Sequence, residues 1–70
     1  MDHTTALSRL VLLTVQVSPE PLNYTQIISQ VGTSALTLRL LIPRLVKAGY
    51  LNRTYVGRIT YFTRTTKEVL

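Results

Sequence analysis

From Ala6 to Val17, apolar residues recur at helical spacing, behind the capping candidates Asp2, Thr4 and Thr5. At 100° per residue, Leu13, Ala6, Val17, Leu10, Leu7, Val11 and Val15 cover roughly 200° of the helical wheel, about twice the width of one buried stripe. Leu12 lies beyond even this arc, and Ser8, Thr5, Gln16 and Arg9 mark the expected wet side. The surplus predicts two buried faces, one within the chain and one against a second copy. Ala6, Leu10, Leu13 and Val17 are the expected dimer contacts. Ser18-Pro19-Glu20-Pro21 then stops the helix, because proline lacks the required N–H.

Leu22 to Tyr24 reads as a short extended segment. Asn23 or Thr25 caps a second helix running to Val31, with Ile27, Ile28 and Val31 spaced for one buried face. Gly32 stands where a helix end favours a left-handed residue. Thr33 or Ser34 caps a third helix, which runs to about Ala48 and closes on Gly49. A helix, a short glycine-containing turn and a helix form the local signature of a helix-turn-helix. From Tyr50 the period changes from helical to alternating. Leu51–Tyr55 and Ile59–Thr63 read as strands, joined by a tight turn at Val56-Gly57-Arg58. Thr65 and Glu68 stand at capping-box spacing and predict a last helical turn through Leu70.

The ordered series Leu22-Asn-Tyr-Thr-Gln-Ile27, Val31-Gly-Thr-Ser34 and Leu45-Val-Lys-Ala-Gly-Tyr-Leu51 resembles winged-helix transcription regulators of the broad MarR-like and ArsR-like group. Arg53, the Gly57-Arg58 turn, Tyr61 and the Thr65-led end are similar to a wing and the start of a closing helix. The resemblance spans residues 21–70. It implies an α+β winged helix-turn-helix: three helices, a two-stranded β wing and a short C-terminal helical turn. Members of the group often dimerise through long terminal helices. The short wing loop and single closing turn depart from that pattern and leave the first helix to carry the dimer.

Seventy residues form one expected domain, 1–70, small enough that burial against a partner is a useful staple. No cysteine is present, which excludes disulfides and thiolate metal sites. The longest apolar run, Leu10-Val11-Leu12-Leu13, is far short of a membrane span of about 20 residues. The start carries no basic leader, so a cytoplasmic setting is expected. Net charge is +5, and its distribution matters more than the total. Asp2, Glu20 and Glu68 are the only acids, whereas Arg39, Arg44, Lys47, Arg53, Arg58, Arg64 and Lys67 fall in an acid-free stretch. Such one-sign concentration attracts polyanions.

On the third helix, Leu38, Leu41, Ile42, Leu45 and Ala48 share the expected core face. The opposite face centres on Leu36, Leu40, Pro43 and Lys47, rimmed by Arg39, Thr37 and Arg44. In the resemblance that face enters the major groove with its N-terminal turns nearest the bases. Thr33, Ser34, Thr37, Arg39, Leu40, Arg44 and Lys47 are then candidate DNA contacts, joined by Arg53 and Arg58 on the wing. Arg39 is either a bidentate reader of guanine or a phosphate-contacting or solvated arginine. Leu36 or Leu40 can touch a thymine methyl. The same apolar centre also fits a protein interface. Pro43 removes one backbone bond and either kinks or ends the helix. Of Tyr24, Tyr50, Tyr55, Tyr61 and Phe62, at least some rings belong to the core, because alternation puts Tyr61 and Phe62 on opposite faces.

No paired carboxylates, Ser/His/Asp set, phosphate loop or metal cluster appears, and His3 alone supports no acid–base chemistry. The expected function is a homodimeric, sequence-specific regulator of transcription binding double-stranded DNA, not an enzyme. No cofactor, metal, small-molecule ligand or membrane is expected. The alternatives are a winged-helix protein-interaction module and a non-specific architectural nucleic-acid binder.

Overall fold

The computed structural model describes residues 3–67. Its elements run α1 (His3–Val17), β1 (Leu22–Asn23), α2 (Tyr24–Val31), α3 (Ala35–Lys47), β2 (Leu51–Val56) and β3 (Ile59–Arg64). Helix α1 begins before Ala6, and Tyr24 opens α2 rather than ending the extended segment.

Each helix boundary has a local cause. The Asn23 side chain accepts the Gln26 N–H at 2.9 Å, and the Gln26 side chain accepts the Asn23 N–H at 2.9 Å, a complete capping box. Asn23, not Thr25, is therefore the cap. Gly32 follows at φ 77° and donates to the Ile28 carbonyl at 2.9 Å. Ser34, not Thr33, caps α3 by accepting the Thr37 N–H at 3.1 Å. Helix α3 ends in a Schellman arrangement, with Tyr50 N–H donating to the Leu45 carbonyl and Gly49 N–H to that of Val46. Gly49 has φ 88°, which a side chain would strain. Helix α3 neither stops nor divides at Pro43 but continues to Lys47.

The sheet has three strands in the order β1-β3-β2, all antiparallel, where the sequence pattern predicts only two. Leu22 pairs with Phe62 and Asn23 with Tyr61, so the short segment before α2 extends the hairpin into a sheet. Arg53 opposes Phe62 and Val56 opposes Ile59, placing the two-residue turn at Gly57-Arg58. Leu22, Leu51 and Phe62 face the helices and are buried, while Tyr24 packs edge-on to Phe62 with centroids 4.9 Å apart. The core closes with Leu7, Val11, Leu12 and Val15 of α1, Ile27 of α2 and Leu38, Leu41, Ile42 and Leu45 of α3.

Helix α1 turns Leu7, Val11 and Val15 of the apolar arc to this core, but the buried face reaches further round the helix than expected. Leu12 is 0% exposed and Ser8 3%, although Ser8 belonged to the expected wet side. Ala6, Leu10, Leu13 and Val17 are exposed on the opposite side. Helix α1 packs on α2 and β3, and these select the side centred between Val11 and Val15. Ala48 is exposed rather than buried, because it is the cap of α3 and lies at the edge of the core face. After β3, Thr65 to Lys67 are not helical. The expected closing turn otherwise falls on Glu68 to Leu70, outside the described residues.

Candidate nucleic-acid interface

Burial of Leu38, Leu41, Ile42 and Leu45 fixes the rotation of α3, since these residues share one side of a 3.6-residue period. The opposite side is forced outward. Leu36 is 70% and Leu40 62% exposed, and Thr37, Arg39, Pro43, Arg44 and Lys47 are exposed with them. The helix thus offers a ridge of apolar side chains bordered by Arg39 on one edge and Arg44 on the other. Thr33 is half-buried in the turn between α2 and α3.

The hydroxyls at the start of α3 are already engaged. Besides capping, Ser34 Oγ lies 2.6 Å from Thr37 Oγ1, so the two hydroxyls bond each other. Their first role is to satisfy the helix end, which the capping pattern anticipates.

The hairpin carries the other two candidate cations. Arg53 is exposed, with its guanidinium 5.7 Å from the centroid of the Tyr55 ring two residues on. Arg53 shares the helix-facing side of the sheet with Phe62, its cross-strand partner, but sits on the edge strand beyond the core. Arg58 occupies the exposed turn and lines a groove of about 340 Å³ with Ile59 and Thr60, facing Asn23, Tyr24 and Thr25 at the start of α2. Tyr55, Val56 and Ile59 leave apolar surface exposed near the turn. Sequence reading missed that surface, although apolar residues on both sides of Gly57-Arg58 signalled it.

Two cations of the acid-free stretch do a different job. Arg64 donates through Nη1 to the Tyr50 carbonyl and through Nη2 to the Lys67 carbonyl at 2.8 Å. Lys67 Nζ donates to the Ala48 carbonyl at 2.6 Å and lies 4.5 Å from the Tyr50 ring centroid. Thr65 donates its hydroxyl to the Gly49 carbonyl at 2.6 Å and accepts the Lys67 N–H at 3.2 Å. Residues 64–67 therefore fasten the end of α3, where carbonyls lack helical partners and cations complement the dipole. Arg39, Arg44, Lys47, Arg53 and Arg58 remain at the surface. Glu20, in the loop after α1, is the one carboxylate among the described residues.

No protein-family model matches the chain, and no curated protein matches it. Similar solved structures include the following two. Human N-acetylserotonin methyltransferase, crystallised with SAM, gives a TM-score of 0.73 at 24% identity over 90% of this chain, but over only 18% of its own. TubR, a type III plasmid segregation protein, gives a TM-score of 0.73 at 19% identity over 94% of this chain and 77% of its own. Likeness at such identity establishes the fold, a winged helix-turn-helix. It gives no support to the narrower MarR-like or ArsR-like grouping.

Proposed function

We propose that this winged helix-turn-helix is a sequence-specific, double-stranded DNA-binding transcription regulator that works as a homodimer. One observation carries the reading: Arg39, Arg44, Lys47, Arg53 and Arg58 are all exposed on α3 and the hairpin, in a stretch with no carboxylate. An α-helix with its side chains is about 10–12 Å across and fits the major groove, about 12 Å wide. Helix α3 lies in that groove, with Arg39 reading a base and Arg44 and Lys47 on phosphates. Ser34 and Thr37 approach the DNA while keeping their capping bonds, and Thr33 lies behind them. The hairpin rests on the flanking backbone or minor groove through Arg58, with Arg53 beside it. The same fold in a plasmid segregation protein, over most of both chains, is compatible with this role.

Dimerisation is assigned to α1. Ala6, Leu10, Leu13 and Val17 follow a 4-3-4 spacing, the seam of paired helices, on the side that α1 turns away from its own core. A two-fold pair of such helices buries the same patch on both copies.

The exposed Leu36 and Leu40 favour a second reading, a protein-interaction module using the same face. A salt titration on several duplex sequences separates these readings from an architectural role. The regulator binds one sequence class far more tightly than others, and affinity falls with salt at a slope of about −0.9 per phosphate contact. Equal affinity for every duplex indicates an architectural binder. No binding at low salt overturns the DNA reading in favour of a protein partner.

A further inference from the structure

The outward face of α3 is unusual for a surface meant to read bases, because its centre is leucine. Helix α3, from Ala35 to Lys47, contains no Asn, Gln, Asp, Glu or His. The side chains that pair best with adenine edges or accept from cytosine are therefore missing from it. The hydroxyls of Ser34 and Thr37 bond each other at 2.6 Å, and Arg39 and Arg44 stand on the rims. Leu36 and Leu40, 70% and 62% exposed, hold the middle of the face one turn apart.

Among the groups that unmodified DNA presents in the major groove, the C5-methyl of thymine is the apolar one. Leucine placed against any other base edge removes water from a donor or acceptor without replacing its hydrogen bond. The rim cations complement the phosphates on either side of the groove, which makes DNA the occupant that fits both the apolar centre and its charged border.

We propose that Leu36 and Leu40 read thymine methyl groups, so that each half-site requires A·T pairs at two positions. Four helical residues rise about 6 Å, which corresponds to about two base-pair steps at about 3.4 Å each. The two thymines therefore lie about two steps apart. This inference rests on the placement of α3 in the major groove.

The test starts from a duplex selected by the wild-type protein out of random sequences, then remade with deoxyuridine for thymidine in the half-sites. Uracil keeps base pairing and backbone charge and removes only the methyl. Affinity is expected to fall about fourfold for each contacted methyl, about 16-fold for the two of one half-site and about 250-fold for the four of a two-fold dimer, from the free energy of burying one such group. The Leu36→Ala/Leu40→Ala double variant, which alters exposed positions only, is expected to bind the two duplexes alike while keeping its far-UV circular dichroism. If wild-type protein binds thymidine and deoxyuridine duplexes equally, methyl reading is overturned and the DNA reading stands. If no duplex is bound at low salt, both fall.

Discussion

Arginine has two kinds of work in this chain, and reach decides between them. Arg64 donates to the carbonyl of Tyr50, just after α3, and to that of Lys67, so its charge is spent inside the molecule. Arg39 and Arg58 point from a helix face and a turn where no such acceptor exists among the described residues. These two are expected to behave differently from each other on DNA. Arg39→Ala should cost about 1–3 kcal/mol on the preferred duplex and relax preference at one position of each half-site. Arg58→Ala should weaken all duplexes alike and lower the salt slope by about one per subunit. Competition binding on matched and scrambled duplexes at several salt concentrations checks both. Equal effects of both substitutions on matched and scrambled DNA would remove Arg39 from base reading.

At the scale of the element, caps and glycines were the most legible features. The sequence narrowed the starts of α2 and α3 to two residues each, and the structure chose Asn23 and Ser34. Pro43 was not legible in the same way. Its missing N–H leaves the Arg39 carbonyl without its helical donor, yet α3 continues because Leu41, Ile42 and Leu45 are buried on the far side. Burial overrides propensity there. Pro43→Ala should restore that bond and stabilise the protein by roughly 2 kcal/mol, allowing for the freer unfolded chain. Urea denaturation should show a higher midpoint at unchanged slope. A midpoint that stays put or falls would mean that the backbone fixed by Pro43 is needed for α3 to meet the core.

For the molecule as a whole, α1 carries the proposed assembly. Leu13→Glu is expected to leave the fold intact, since Leu13 is exposed, and to yield monomers in sedimentation. Wild-type protein that stays monomeric at high micromolar concentration would remove the dimer from the proposal. In a two-fold dimer, the half-sites should lie about 34 Å apart, or a multiple of this. The sequence by itself determined the order of elements, the helix-turn-helix, the hairpin and the outward face of α3, because each follows from local periodicity and turn chemistry. It also showed that α1 has more apolar surface than one core contact needs. Only the tertiary structure decided how far round α1 the buried face extends, adding Leu12 and Ser8 to Leu7, Val11 and Val15. Periodicity gives the angles between side chains but not the rotation of the helix, which depends on the shape that α2 and β3 present. The third strand at Leu22–Asn23 and the carbonyl contacts of Arg64 and Lys67 were equally beyond local pattern, since their partners lie far along the chain. Side chains and strands of the same kind acquire different roles when folding brings distant acceptors within reach.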